Sequence, residues 1–518
     1  MSDCKNIAGH FFDRYVEAPA NPALFVEDAF CSYGELAARA RAVAGWLESL
    51  ALPPGARVAL VAGGTSESYG ALLGCAWAGV TYVPLSPWFP PDYVRKLLER
   101  AGADVVIADA NGKAALSAIE GWTPGPHFLD LSGGFGQLDE YLHLAPSEPV
   151  PLPPHAIVHI MFTSGSTGEP KMIGATLANI DAYLTTSQER YAFTVADRVS
   201  HYNELGWDPY LLDLFGAWDV GACTFAVPRG ERLAPAGFIH RHALTTWFSV
   251  PSTVVFMGRL KMLTPGLLPT LRLSLFVGEP LHLDTVKSWC RAAPNSRVEN
   301  VYGPTECTVV CTGHELESGA GACASSPGRD YAPIGTPYRG TGLAIIDADR
   351  RFLGDGEVGQ IVITGAQVAP GYVGDPQATD ASFMLLTHPG LGQRRWYLTG
   401  DLGLRDADGI YHFMGRSDNQ VKVLGNRVEL EAVEAALRQA SGCEEVAVVS
   451  GAVKQGITQW LGAAVVGCEL TPERVKSAMA ARVPSYMVPK RLVALPRLPR
   501  NANGKLDRAE LRKIILGD

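Results

Sequence analysis

The run "RVALVAGGTSESYGALLGCAWAG", Arg57 to Gly79, pairs a short apolar stretch with a helix-like segment of small and apolar residues. The same pairing recurs at once, with "PDYVRKLLERA" (Pro91–Ala101) followed by "ADVVIADA" (Ala103–Ala110). This alternation, continuing to Leu142 and resuming after Ser200, is the rhythm of parallel α/β layers. At 518 residues the chain is long enough for two or more domains with ample buried surface.

Composition narrows the function classes. A formal charge of −9 gives no basic footprint for nucleic acid. The N-terminus lacks a basic start followed by an apolar core, and no apolar run approaches a membrane span, so a cytoplasmic protein without a membrane partner is expected. Ten cysteines lie far apart, and Cys307 and Cys311 have no second pair nearby to complete a zinc set; reduced thiols are expected.

A change of composition at "DADGIYHFMGRSDNQVKVLGNRVELEAVEAAL" sets a boundary near Asp418. Residues 1–417 are expected to form a large core domain and 418–518 a small mobile α+β domain. Beyond the boundary the pattern reads helix from Glu429, strands in "EEVAVVS" and "WLGAAVVG", then a helix with Thr471 as N-cap and Pro472 at its first position. The polar, small-residue stretch Thr312–Pro333 reads as a surface excursion.

The loop "MFTSGSTGEPKM", Met161 to Met172, fails the Walker template: Gly165 and Gly168 are three apart, Lys171 follows three later, and Met172 stands where a hydroxyl is needed. It reads as a connection between two strands, with a helix beginning near Thr176. Its glycines, four hydroxyls and lysine nonetheless suit a phosphate; alone, it could equally be a serine-rich surface turn.

"TSGSTGEPK" resembles the phosphate-loop signature of the adenylate-forming superfamily, which includes amino-acid adenylation domains, acyl- and aryl-CoA ligases and luciferases. "YGPTE" (Tyr302–Glu306), "GEVGQIVITG" (Gly356–Gly365), "YLTGD" (Tyr397–Asp401), "GRSDNQVKVLGNRVEL" (Gly415–Leu430) and "NGKLDR" (Asn503–Arg508) follow in the family's order. "SYGEL", "AGVTYVPL" and "VPSYMVP" extend the resemblance over nearly the whole chain.

That resemblance implies ATP and Mg²⁺, with Lys505 bridging the substrate carboxylate and the α-phosphate, Thr305 near that phosphate, and Glu306 as metal ligand. Thr163, Ser164, Gly165, Ser166, Thr167, Gly168 and Lys171 would hold phosphates. Tyr302 would stack on adenine, Asn300 meet its amino group, Gly278 adjoin the nucleotide, and Asp401 and Arg416 bind ribose. Joining a carboxylate to a phosphate brings together anions whose repulsion is about 4 kcal/mol at an effective dielectric near 20, so the catalysis is expected to be largely electrostatic. Asp418 matches the hinge, and Gly425 would leave room for a pantetheine arm in a second step that withdraws Lys505.

Within "NELGWDPYLLDLF" (Asn203–Phe215), Asp208 falls where amino-acid-activating members carry the carboxylate for the substrate ammonium. The remaining pocket positions would be Pro209, Leu212, Phe248, Leu275, Val277, Val301, Val309 and Val310. All are apolar, which implies a small or medium hydrophobic amino acid such as proline, valine, alanine or a β-amino analogue. The pattern is similar to stand-alone amino-acid adenylation enzymes of the nonribosomal peptide synthetase type, which load a separate phosphopantetheinylated carrier protein. The chain stops soon after "NGKLDR", so the carrier is expected in trans; "GGTSES" near Gly63 is not read as a pantetheine attachment site. Leu398, Leu424, Leu177 and Ser86 depart from the common pattern. An acyl- or aryl-CoA ligase of the same fold and a catalytically silent carrier-binding protein are the competing readings.

Overall fold

The computed structural model describes residues 5–165, 168–316, 330–454, 457–468, 470–500 and 506–517. The opening stretch folds as expected: strand Arg57–Val61, helix Ser66–Trp77 and strand Thr81–Leu85. Thr65 begins that helix with a reciprocal cap, its side chain accepting from the Ser68 amide while the Ser68 hydroxyl accepts from the Thr65 amide. Strand residues Val58–Val61 are at most 1% exposed, because helices cover both faces of the sheet they enter.

That sheet has six strands, in the order Phe128–Asp130, Val105–Ala108, Arg57–Val61, Thr81–Leu85, Ile157–Thr163 and Lys171–Thr176. Its first five strands are parallel and the last is antiparallel. The loop within Met161–Met172 therefore does connect two neighbouring strands, and the helix Leu177–Tyr191 follows with Thr176 as its N-cap.

A second sheet has nine strands, with Arg297–Tyr302, Leu273–Phe276, Thr246–Ser249, Arg198–His201, Cys223–Ala226 and Pro22–Val26 running parallel at its centre. Thr312–Leu316 pairs antiparallel to Arg297–Tyr302, which corrects the loop expected there: its backbone completes the sheet edge, as far as 316. Residues 317–329 lie outside the described residues. A third, antiparallel sheet holds Thr341–Ile346, Gly359–Gly365, Gly392–Arg405, Phe383–His388 and Tyr411–Arg416.

The small C-terminal domain opens with a hairpin, Gln420–Val423 and Asn426–Glu429. Helix Leu430–Ser441, strands Val446–Ser450 and Leu461–Val466, and helix Pro472–Ala480 capped by Thr471 follow as the sequence indicates. Strand Arg491–Leu495 completes its sheet, and helix Arg508–Leu516 packs Leu511 and Ile515 onto that sheet's apolar cluster. The α/β class, with a large N-terminal and a small C-terminal domain, is as expected. Among the described residues no helix is long and apolar enough to cross a membrane.

Candidate active site

Where the large sheets meet the small domain's hairpin, a cleft encloses a cavity of about 160 Å³. Strand ends supply most of its walls. Thr163 and Ser164 leave the six-stranded sheet, Val277 and Gly278 follow strand Leu273–Phe276, and Tyr302 ends strand Arg297–Tyr302. Ligands commonly bind at such carboxyl ends of parallel strands, because loops with free backbone groups begin there.

Asp208 enters the cleft from the turn that precedes a wide helical segment, Leu211–Gly216. Its Oδ2 is shielded from solvent and has no hydrogen-bond partner. Loss of water pushes its carboxyl up to about 6; the Thr305 hydroxyl and Lys422 oppose that rise, and Glu306 adds to it. A carboxylate oxygen left without a partner is costly to bury, so this oxygen is suited to receive a cation. Pro209, Val277 and Val309 line the same space. Leu212, Phe248, Leu275, Val301 and Val310 stand behind them in the main apolar core, each at most 3% exposed. This end of the cleft is therefore walled by apolar side chains.

Elsewhere on the cleft wall, the Tyr302 hydroxyl donates to Asp401 Oδ2 at 2.6 Å, and Arg416 Nη1 donates to Asp401 Oδ1. Arg416 also grips Asp418 through Nε and Nη2, both at 2.7 Å, so the boundary residue is tied to the cleft wall. Asn300 is buried and donates to the Pro333 carbonyl at 2.7 Å. Of the phosphate-loop residues, Thr163 Oγ1 is buried without a partner, while Ser164 Oγ donates to the Arg427 carbonyl at 3.0 Å. Gly165 and Gly168 face an adjoining polar cleft, and Lys171 rests its ammonium 4.7 Å above the Tyr372 ring. Ser166, Thr167 and Lys505 lie outside the described residues.

Sequence reading missed the two cations of the small domain's hairpin. Leu424 and Gly425, at φ +50° and +84°, make a two-residue turn. Its register sets Lys422 opposite Arg427, and both line the cleft. Arg427 Nη1 lies 2.9 and 3.0 Å from the two oxygens of Glu306, and the Tyr372 hydroxyl donates to Oε1 at 2.9 Å. Burial alone would raise the Glu306 carboxyl, but Arg427, the backbone and the Tyr372 and Tyr397 hydroxyls hold it below the usual carboxylate range. Burial lowers the Lys422 ammonium, with Arg427 and Arg416 adding to the effect and Asp401 and Glu279 opposing it. Folding "KVLGNR" about a Leu-Gly turn pairs residues 422 and 427, a signal already present in the sequence. Like charges directly opposite each other repel, so the hairpin needs the carboxylates it meets.

Glu306 offers the hard oxygens that a phosphate-bound divalent cation uses. Among the described residues no three His, Cys, Asp or Glu cluster as an all-protein cage, so such a cation would draw its other ligands from phosphate and water. Donor chemistry at Glu306 fits Mg²⁺ once Arg427 withdraws.

The family model of the AMP-binding enzymes matches residues 11–373, and that of their C-terminal domain matches 432–505. The chain belongs to the AMP-binding enzyme family. This AMP-binding enzyme is 31% identical to an L-proline–[L-prolyl-carrier protein] ligase of Pseudomonas fluorescens, over 98% of each chain. It is equally identical to the phenyloxazoline synthase MbtB of Mycobacterium tuberculosis, but spans only 34% of that protein. Among solved structures it resembles the Vibrio cholerae adenylation domain AlmE in complex with glycyl-adenosine-5′-phosphate, at 27% identity and a TM-score of 0.85 over 99% of this chain and 98% of that one. PA1221, a protein with adenylation and carrier domains, matches at 25% identity and 0.80 over 98% and 84%.

Proposed function

We propose that this enzyme activates a small or medium hydrophobic amino acid with ATP, releasing pyrophosphate, and passes the aminoacyl group to the phosphopantetheine thiol of a carrier protein. The Asp208 carboxylate, one oxygen of which is buried without a partner, carries this reading, since an ammonium is the cation that fits beside an apolar acyl end. Proline, valine, alanine and a β-amino analogue remain the candidate substrates, and the carrier ligase and glycyl-adenylate relatives support the class.

In the adenylation step Lys505 of the small domain neutralises the carboxylate and the α-phosphate, with Thr305 beside them. Phosphates are held by the hydroxyls and amides of 163–168 and by Lys171, adenine by Tyr302, Asn300 and Gly278, and ribose by Asp401 and Arg416. Mg²⁺ on Glu306 would supply positive charge to the departing pyrophosphate. Residues 1–417 and 418–518 act as two bodies hinged at Asp418. The hairpin turn at Gly425 lies against Val250, a contact that supports a thioester-forming arrangement of the two bodies. The carrier is a separate protein and the enzyme works in the cytoplasm.

Pyrophosphate exchange with a panel of amino acids and their desamino counterparts tests the proposal. Exchange with amino acids alone supports it; exchange with plain acids alone assigns an acyl- or aryl-CoA ligase instead. A folded protein that binds a carrier but exchanges with nothing would be a silent binding protein. Lys505→Ala is expected to abolish exchange while retaining ATP binding.

A further inference from the structure

Thr308 and Val309 follow Glu306 and adopt φ of +54° and +69°, left-handed backbone that two successive β-branched residues strongly disfavour. Backbone bonds hold part of this turn: the Thr308 amide donates to the Thr305 carbonyl at 3.1 Å, the Val310 amide to the Thr308 carbonyl at 3.0 Å and the Cys311 amide to the Tyr302 carbonyl at 2.9 Å. The Gln367 side chain adds a second hold: its amide nitrogen donates to the carbonyls of Val310 at 2.7 Å and of Cys307 and Thr308 at 3.3 Å. Thr308 Oγ1 returns a hydrogen bond to the Gln367 carbonyl at 2.8 Å, and Thr341 Oγ1 donates to Gln367 Oε1 at 3.3 Å. Gln367 is 2% exposed and is not part of the cleft wall. An amide has two N–H groups, so three carbonyls share them, and no carboxylate or aliphatic side chain of that size can replace the donors.

The turn's geometry reaches the cleft through Val309, which lines it beside Asp208, while Val310 closes the core behind. Glu306 stands on the same loop, and its carbonyl accepts from the Ala369 amide at 2.9 Å, two residues beyond Gln367. Gln367 thus braces the loop that carries Val309 into the cleft wall.

We infer that Gln367 is a positioning residue that sets substrate size, by clamping the strained Thr308–Val309 turn beneath the acyl end of the cleft. This rests on the amino-acid reading of that cleft. Losing the clamp lets the turn relax, moves Val309, and admits longer side chains at the expense of fit to short ones.

The test measures pyrophosphate exchange by the full chain with valine, leucine and phenylalanine, and the KM for ATP. Gln367→Leu, which removes the donors at similar volume, is expected to raise the KM for valine and shrink the valine-to-phenylalanine preference by about tenfold each. KM for ATP stays within about twofold, a split that general loss of structure does not produce. Gln367→Glu, acceptor-only when ionised, is expected to fall further behind wild type as pH rises and its one acid proton is lost. Thr341→Val, which only unhooks the amide oxygen, shifts the preference in the same direction by about threefold, and decides the matter if Gln367→Leu does not fold. Unchanged valine KM and preference in the folded variants overturns the inference. A wild-type enzyme that exchanges with no amino acid overturns the underlying reading instead.

Discussion

Arg427 Nη1 lies within 3.0 Å of both carboxylate oxygens of Glu306, joining the small domain's hairpin to a loop of the large domain. A divalent cation on that carboxylate would compete with this guanidinium for the same oxygens. On the proposed reading, docking of the hairpin would weaken the hold on a metal-bound pyrophosphate.

Removing the guanidinium tests this. Arg427→Ala leaves Glu306 buried with an uncompensated charge in the docked arrangement, a loss of ~3–5 kcal/mol for a broken buried pair. Carrier loading is expected to fall by roughly a hundredfold or more, while pyrophosphate exchange changes much less. Equal losses in both assays would count against a role confined to the docked state.

The Asp208 carboxyl, raised to about 6, predicts a pH dependence. Below that value it is protonated and has no charge to offer an ammonium. kcat/KM for the amino acid should climb about tenfold per pH unit up to about pH 6 and then level off. Asp208→Asn keeps the shape without the charge; it should lower kcat/KM by on the order of a hundredfold or more and abolish that limb. A limb that persists in the variant belongs to another group.

Leu424 carries a left-handed backbone on an exposed turn, where its side chain packs little and Asn is the preferred residue before glycine. Leu424→Asn is expected to stabilise the small domain by about 1 kcal/mol. Slower hydrogen exchange at the amides of 420–429 would report it; faster exchange would contradict the strain.

Gly303 lies under the clamped turn, where an added Cβ would sit 2.5 Å from Val310 Cα and 2.7 Å from the Val309 carbonyl oxygen. Both are backbone atoms, so they cannot rotate away. Gly303→Ala should cost about 1–3 kcal/mol and raise the amino-acid KM, read by thermal melting and by exchange kinetics. A variant with wild-type melting and KM would show the turn to be soft.

Much of the fold was legible because it is local. Alternating apolar runs mark strands covered on both faces, and Thr176 and Thr471 announce helix starts. Asp208 and Tyr302 were legible through motif position. Contacts between distant segments were not: no local pattern pairs Arg427 with Glu306, 121 residues away, or puts Gln367 under Thr308. The strand at Thr312–Leu316 was hidden by its polar composition, since an edge beside Arg297–Tyr302 is held by backbone pairing rather than by apolar side chains.

At Gly425 an imagined methyl would sit 2.7 Å from Val250 Cγ1, nearer than carbon atoms tolerate. The spacing of the two lobes here is thus set by a single hydrogen atom. A methyl there would force either the Val250 side chain or the hairpin that carries Lys422 and Arg427 to shift.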